Sequence, residues 1–160
     1  MRVTPLGDAP AGAICRPLSL SDFADLCALY AELSVRIPAL TGDAGAARFQ
    51  DILDHPGTAV FGAELDGRIV SMATLHVLPN LTYAGRSYAL VENVATLSDY
   101  RRQGLARLVM TTLEQAAWSR DCYKIMLLTG RHNVAKAFYE RLGYRSDEKH
   151  GLVLRRALPN

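Results

Sequence analysis

The chain has 160 residues, 49% hydrophobic and 21% charged, which is the composition of an ordinary globular protein with its own core. Its net charge of +2, from 18 basic and 16 acidic residues without a polybasic run, argues against nucleic acid as a partner. No apolar run reaches the roughly 18 residues of a membrane span, and the first residues lack the apolar stretch of a signal peptide.

The first third of the chain predicts a strand and two helices behind an irregular start. Residues 1–12 are rich in Pro, Gly and Ala, which disfavour regular structure. Ser19 or Ser21 caps a helix whose apolar residues recur at helical spacing as far as Leu33. A second helix is stopped by the sequence HPG at residues 55–57. The predicted elements are a strand over residues 13–17, a helix ending near residue 33, and a helix over residues 43–54.

Three strands follow, at residues 58–65, 68–77 and 88–96. The first two are joined by Asp66-Gly67, which is typical of a tight two-residue hairpin turn. The third is apolar on both faces, which predicts an interior position in the sheet. Period-two alternation predicts one face of this strand to carry Tyr88, Leu90, Glu92, Val94 and Thr96.

A helix and a crossover complete the predicted fold. Apolar residues at helical spacing predict a helix over residues 105–118. The apolar run at residues 122–128 predicts a buried strand parallel to the strand at 88–96, because a helix lies between them. A helix from about residue 131 to 142, closed by Gly143, and a last strand at 152–157 follow. This order predicts one α/β domain over residues 1–160, with a mixed sheet and helices on both faces.

The junction between the strand at 88–96 and the following helix breaks a local rule. Helix N-termini carry partial positive charge, so their first turns favour Asp or Glu. Here the segment has three arginines and no acid, and Gly104 is a poor helix former. Both features fit an anion held by backbone N–H groups, while the alternative is an arginine-rich solvated face. Neither the P-loop pattern nor the dinucleotide fingerprint is present.

Two motifs resemble the GNAT family of N-acetyltransferases. Arg101-x-x-Gly104-x-Ala106 resembles the family's acyl-CoA pyrophosphate loop, [QR]-x-x-G-x-[GA]. The segment from Asn133 to Tyr144 resembles its N-x-x-A-x-x-F-Y-x-x-x-G-F/Y segment, with one residue fewer before the Phe-Tyr pair than some members have. The blocks LVENVA, CYKI and FYE are most similar to the glucosamine-6-phosphate N-acetyltransferase branch. That branch has an acid in the strand after Tyr-Lys-Ile, where this chain reads MLLT.

The resemblance implies the acyl-CoA N-acyltransferase fold. This fold has a mixed, mostly antiparallel sheet of six to seven strands, flanked by helices and splayed between strands 4 and 5. The resemblance implies acetyl-CoA as co-substrate, with its pantetheine arm paired to strand 4 and its pyrophosphate on the loop N–H groups. The implied cofactor-binding residues are Val94, Ala95, Thr96, Arg101, Arg102, Gln103, Gly104, Leu105, Ala106, Arg107, Asn133 and Tyr139.

Glu92 and Tyr139 are the candidate catalytic residues. An amine with a pKa near ~10.4 is almost fully protonated at neutral pH, so a base accelerates its acetylation. Glu92 lies in an apolar strand, where burial would suit it to act as that base, directly or through a water. It is alternatively a structural partner of an arginine such as Arg86, or a binder of the substrate amine. Tyr139 is the implied acid or thiolate stabiliser, or alternatively a core aromatic beside Phe138.

The resemblance implies direct transfer, in a ternary complex, to a primary amine of a small molecule. A backbone N–H near Val94 is the expected donor to the developing oxyanion. The alternatives are a protein or peptide N-acetyltransferase, and a non-catalytic acyl-CoA-binding sensor module. The joint presence of Glu92 and Tyr139 favours an enzyme over a sensor. The resemblance also makes a homodimer plausible.

Cysteine and histidine spacing bounds the remaining chemistry. Cys15, Cys27 and Cys122 cannot all pair internally and lack C-x-x-C spacing, which predicts a reducing, cytoplasmic setting. The four histidines lack the spacing of metal ligands, so we expect no metal.

Overall fold

The structure is a computed structural model that describes residues 7–33, 37–130 and 135–156. Contacts divide the chain into a unit of residues 1–127 and a unit of residues 128–160, each described by itself below. The strands of the first unit are β1 (Ile14–Pro17), β2 (Thr58–Leu65), β3 (Arg68–Leu78), β4 (Tyr88–Thr96) and β5 (Ile125–Leu127). Its helices are α1 (Phe23–Leu33), α2 (Gly42–Asp54) and α3 (Leu105–Ser119), and the second unit contains α4 (Ala135–Arg141).

The sheet is mixed and mostly antiparallel, in the order β1-β2-β3-β4-β5. The first three pairs are antiparallel, and β4 pairs with β5 in parallel, as predicted for strands joined through a helix. The described residues form five strands, so the expected six to seven is wrong. No strand forms at residues 152–156, where three apolar side chains are exposed, because an apolar run gains ladder hydrogen bonds only beside a partner strand.

Two local features match the sequence closely. The turn between β2 and β3 has positive φ at Asp66 (52°) and Gly67 (75°), as a two-residue hairpin requires. The buried stripe of α3 includes Leu105, Val109 and Leu113, at the predicted helical spacing. In contrast, β5 is shorter than the predicted strand at residues 122–128. In the described parts of the chain, no helix is long and apolar enough to cross a membrane.

Helices α1 and α3 lie on opposite faces of the sheet. The Tyr30 phenol of α1 approaches Thr74 of β3. Thr112 of α3 hydrogen-bonds Cys15 of β1. Cys15 pairs with Ala63 of β2, and Ala63 pairs with Ser71 of β3, so α3 covers the face that carries the Ser71 side chain. Positions 71 and 74 differ by an odd number, so their side chains point to opposite faces. The sheet is thus covered on both faces, and β3 is buried from Ile69 to Leu75.

Strand β4 contains a bulge that the period-two reading missed. Glu92 pairs with Thr74 and Ala95 pairs with Met72, so three steps along β4 match two along β3. The extra residue is accommodated at Asn93, whose φ is +56°. Thr96 pairs with Ser71 and therefore lies on the face opposite Glu92. The prediction that Tyr88, Leu90, Glu92, Val94 and Thr96 share one face is wrong beyond Glu92 for this reason.

Candidate active site

The last residues of β4 have an open side. Pairing with β5 covers Ala89 to Val91 and ends at Val91 opposite Leu127, while β4 continues to Thr96. No described strand pairs with residues 92–96 on that side. The expected splaying of strands 4 and 5 stays a prediction, and what the structure shows is that their pairing ends early.

The bulge turns the backbone of Val94 toward this open side. The Ala89 N–H donates to Lys124 beside β5, whereas the Leu97 N–H donates to Val70 of β3. In a regular strand, residues 89 and 97 would direct their backbone N–H groups to the same side, because they are an even number of positions apart. Here the two N–H groups point to opposite sides, because the bulge at Asn93 adds one residue to β4. Successive strand residues direct their N–H and C=O groups to alternate sides. Val94 is three positions before Leu97, so its N–H and C=O point away from β3. These groups are positioned to pair with an extended, amide-bearing ligand.

Side chains of β3 fix the end of β4. The Ser71 hydroxyl donates to the Ala95 carbonyl at 3.1 Å and lies 2.8 Å from the Thr96 hydroxyl. Ser71 is fully buried, so these bonds form away from water, where an unpaired hydroxyl would be costly. Ala95 and Thr96 are therefore anchored on the β3 side while the other side of the strand stays open.

Glu92 is exposed at the start of the open stretch, next to the bulge. The expectation of a buried carboxylate is wrong, because β5 ends one residue earlier and nothing described pairs beside it. The alternative that Arg86 pairs with Glu92 is also wrong. The Arg86 guanidinium lies 2.8 Å from Asp121 and also bonds the Cys122 carbonyl. Within the described residues Glu92 has no salt bridge, so a base or an amine binder remain its possible roles.

His76 is a neighbour of Glu92 that sequence reasoning did not select. His76 and Thr74 are two residues apart on β3, and Thr74 pairs with Glu92, so the imidazole and the carboxylate share a face. Burial lowers the pKa of His76, and the negative charge of Glu92 partly offsets this effect. The signal available in the sequence was a histidine at an inward position of a strand that is otherwise largely apolar.

The loop from β4 to α3 presents backbone donors at the helix N-terminus. Helix α3 begins after Gly104, which has φ +78° and provides no side-chain cap to Leu105, Ala106 or Arg107. Arg102 also has a positive φ of 61°, and the Gln103 amide bonds the Asp99 carbonyl. An uncapped first turn with basic side chains provides what an anion needs. The predicted binding of a pyrophosphate by this loop stays a prediction.

Arg101 is held on the other side of this loop. Its guanidinium bonds Glu32 at the end of α1 at 2.5 Å and the Thr96 carbonyl at 3.1 Å. The other Glu32 carboxylate oxygen accepts the Ser98 N–H at 3.1 Å. Arg101 therefore ties α1 to the end of β4, and its predicted contact with a cofactor stays a prediction.

The N-terminal segment lies directly over Gly104. A Cβ on Gly104 would come within 2.5 Å of the Gly7 carbonyl oxygen and 2.7 Å of the Ala9 nitrogen. The Asp8 carboxylate meets the Arg107 guanidinium at 3.0 Å. The space that a glycine leaves at this turn is thus filled here by the chain's own backbone, a feature with no signal in the motif.

Tyr139 belongs to the second unit. Its ring packs edge-on against Phe138 and Tyr144, at centroid distances of 5.2 and 6.0 Å. Burial raises the pKa of Tyr139, so its phenol remains a proton donor at neutral pH. Asn133, the predicted pantetheine contact, lies outside the described residues. Over the described ranges, no group of three or more His, Cys, Asp or Glu residues could hold a metal.

Comparison with known proteins points to one family. Residues 25–144 match the model described as the acetyltransferase (GNAT) family. The glucosamine 6-phosphate N-acetyltransferase of Trypanosoma brucei brucei is 32% identical over 136 residues, which cover 84% of this chain and 90% of that protein. The enzyme of the same name from Candida albicans is 23% identical, covering 85% of this chain and 91% of that protein.

Solved structures agree with the sequence comparisons. A protein from Agrobacterium tumefaciens str. C58, provisionally named an acetyltransferase, is 40% identical with a TM-score of 0.85, over 89% of this chain and 99% of that one. A Trypanosoma brucei acetyltransferase is 28% identical with a TM-score of 0.77, over 91% of this chain and 99% of that one.

Proposed function

This chain belongs to the acetyltransferase (GNAT) family, and we propose that it transfers an acetyl group from acetyl-CoA to a primary amine of a small molecule by direct attack in a ternary complex. The observation that carries this proposal is the bulge at Asn93, which directs the backbone of Val94 to the open side of β4. That strand leads into the uncapped N-terminus of α3. The strand edge suits an amide chain and the helix end suits a diphosphate, the two parts of a coenzyme A arm.

The residues present fit acetyl-CoA, with one qualification at Gly104. Val94, Ala95 and Thr96 supply the strand edge, and the loop residues from 102 to 107 supply N–H groups and basic charge. When bound, acetyl-CoA supplies an activated thioester. Residues 7–9 cover Gly104, so a diphosphate at this turn must share the site with Asp8 or displace it. Arg101 acts here by fixing the end of β4, through Glu32 and the Thr96 carbonyl.

Three groups divide the chemistry. Glu92, an exposed carboxylate, accepts the proton that the substrate ammonium must lose before it can attack, directly or through a water. The Val94 N–H donates to the carbonyl oxygen as negative charge develops on it, a type of contact that typically contributes about 3 kcal/mol. Tyr139, kept protonated by burial, donates to the departing sulfur.

The acceptor is best sought first among amino sugars. The relatives from Trypanosoma brucei brucei and Candida albicans carry the name glucosamine 6-phosphate N-acetyltransferase. The acid that this branch has after Tyr-Lys-Ile is absent here, and Met126 and Leu127 stand in β5 instead. We therefore place glucosamine 6-phosphate first in a panel with glucosamine, simple alkylamines and an N-terminal peptide. Acetylation of the peptide alone would favour a protein acetyltransferase.

The test of the cofactor site is thermal unfolding with and without acetyl-CoA. Ligand at 100 times its Kd stabilises the folded state by about 2.7 kcal/mol, which corresponds to a rise in Tm of roughly 5–10 °C for this size. Arg102→Asn, which tolerates the positive φ at that position, should reduce the rise. Arg120→Asn at the other end of α3 is the matched control and should leave it unchanged. No rise at millimolar acetyl-CoA would overturn the proposal.

Release of free thiol in the amine panel then separates an enzyme from a sensor. Binding of acetyl-CoA without acetylation of any amine would favour the non-catalytic module. A cytoplasmic location and a homodimer are further parts of the proposal, and fractionation and light scattering test them.

A further inference from the structure

A threonine hydroxyl lies between two imidazoles, one of which, His76, is an electrostatic neighbour of Glu92. Thr58 Oγ1, at the start of β2, is 2.9 Å from Nδ1 of His76 on β3. The same oxygen is 3.0 Å from Nδ1 of His55, which follows α2. His76 is half-buried and His55 is exposed, so the three side chains form a hydrogen-bonded row from the sheet to the surface.

The single proton of the Thr58 hydroxyl makes the two hydrogen bonds of the row depend on each other. A hydroxyl has one proton, so Thr58 donates to one imidazole nitrogen and accepts an N–H from the other. The two histidines must therefore be protonated differently at Nδ1. A row in which every member both gives and receives a proton can pass one along without any side chain leaving its place.

Glu92, although exposed, is an electrostatic neighbour of His76 at the sheet end of the row. It shares a face with His76, two positions along β3 from the residue that Glu92 faces. The groups around His76 are Glu92 from β4, Thr58 from β2 and His55 after α2. Burial keeps His76 neutral at neutral pH by lowering its pKa, so it is able to accept a proton.

We propose that His76, Thr58 and His55 relay the amine proton from Glu92 to solvent. Glu92 takes the proton from the ammonium and passes it through a water to Nε2 of His76, because no hydrogen bond joins these two described side chains. His76 then releases its Nδ1 proton to the Thr58 oxygen, the Thr58 proton passes to Nδ1 of His55, and His55 loses its Nε2 proton to water. One proton enters and one leaves, while both imidazoles change tautomer and Thr58 reverses its two hydrogen bonds. Exchange of ring protons with water and rotation of the Thr58 hydroxyl restore the starting state before the next turnover. The role rests on the proposed function, and His76 acts through Glu92 rather than on the acceptor amine itself.

The structural alternative is that Thr58 only pins the end of α2 to the sheet. Thr58→Val removes the hydroxyl while keeping the branched shape, and Thr58→Ser keeps the hydroxyl. The relay predicts that Thr58→Val lowers kcat at least tenfold with an unchanged KM for acetyl-CoA, and that added imidazole restores much of the loss. Thr58→Ser should stay within about twofold of wild type. A purely structural role predicts that Thr58→Val and Thr58→Ser have similar kcat values when equal amounts of folded protein are compared. It also predicts that added imidazole does not raise the kcat of Thr58→Val.

A second measurement tests the hydrogen-bonded row, which the relay requires, even without an acceptor. Long-range ¹⁵N–¹H NMR of the histidine rings should show opposite Nδ1 protonation of His55 and His76, and Thr58→Val should abolish that opposition. Glu92→Gln should lower the pKa of His76, because it removes a nearby negative charge. Matching tautomers, or a His76 titration unmoved by Glu92→Gln, overturns the relay. A wild-type protein that acetylates no amine overturns the proposed function instead, and the ring spectra still decide whether the row is coupled.

Discussion

The Asp8 carboxylate lies 3.0 Å from the Arg107 guanidinium, at the turn where the sequence motif predicts a diphosphate. The Asp8 side chain is 95% exposed, so the pair is held in water and contributes little to stability. The position of the pair is what matters here, because it lies at the turn formed by Gly104. Residues 7–9 press against Gly104 so closely that a Cβ there would clash with their backbone. A carboxylate thus occupies a place that suits an anion.

Removing the Asp8 charge should strengthen acetyl-CoA binding. Asp8→Asn removes a negative charge that competes for Arg107, and exposed ion pairs contribute up to about 1 kcal/mol, so we expect affinity to rise about two- to fivefold. Titration calorimetry at low salt measures the change. Asp66→Asn, in the β2–β3 turn, removes the same charge and keeps a residue that tolerates positive φ. Equal affinities for the two variants would contradict competition at Arg107.

The bulge at Asn93 should be required for cofactor binding. A β-branched residue is strained at φ +56°, so Asn93→Val should cost about 1–2 kcal/mol, or a Tm lower by roughly 2–8 °C, and should weaken stabilisation by acetyl-CoA. Asn93→Gly accepts the same φ and should keep most of the ligand response. Unfolding scans with and without ligand compare the two. An Asn93→Val protein with a full ligand response would show that the bulge does not position the cofactor.

The order of elements could be predicted because the sequence repeats its signals locally. The hairpin follows from Asp66-Gly67, and the α3 stripe follows from the spacing of its apolar residues. The parallel pairing of β4 and β5 follows from the helix between them. Each of these depends on residues close together in the chain, so no tertiary information was needed.

What could not be predicted depends on contacts between distant parts of the chain. Nothing in the alternation of β4 marks Asn93 as the extra residue, because only the register against β3 reveals it. The exposure of Glu92 follows from where β5 ends. The cover over Gly104 comes from Asp8 and its neighbours, almost 100 residues earlier in the chain. Periodicity shows which side chains face inward, and it does not show which edge of a strand stays unpaired.

The contact between Arg16 and Asp22 should make stability depend on acid. Arg16 donates to both Asp22 carboxylate oxygens, at 2.9 and 2.8 Å, and lowers the pKa of Asp22 from its ordinary 3.8. The unfolded chain therefore binds that proton more readily, so this stability is complete above about pH 5 and is lost as pH falls through the folded pKa. Asp22→Asn should lower the free energy of unfolding by about 1–3 kcal/mol at pH 7. The free energy of unfolding of this variant should also fall less steeply as the pH decreases. Urea unfolding from pH 2 to 7 measures both effects.

The matched control for Asp22 lies in α2. Asp51 pairs with Arg48 one turn away, and both side chains are 67% exposed. Asp51→Asn should change stability by less than about 0.5 kcal/mol. An Asp22→Asn protein as stable as the Asp51→Asn protein would show that the buried end of the Arg16 pair contributes nothing.

Glu92→Gln should separate the two roles that remain for this residue. A general base contributes on the order of 10²–10⁴-fold, so its loss should lower kcat by at least 100-fold with little change in KM for the amine. If Glu92 only binds the ammonium, KM for the amine should rise while kcat stays near wild type. Steady-state kinetics with the acceptor from the panel decides between them. Glu92→Asp, which keeps a carboxylate one methylene shorter, should retain more kcat than Glu92→Gln if proton removal is the role.

Tyr139→Phe should lower kcat on the order of 100-fold and leave acetyl-CoA binding unchanged, since the ring stays and only the donor is lost. Burial raises the pKa of Tyr139, so its phenol stays protonated through the mildly alkaline range. The ratio of wild-type to Tyr139→Phe kcat should therefore be constant between pH 7 and 9. Tyr144→Phe removes the phenol of the ring that Tyr139 packs against and serves as the control. A ratio near one for Tyr139→Phe, or an equal loss in Tyr144→Phe, would mean that Tyr139 is a packing residue.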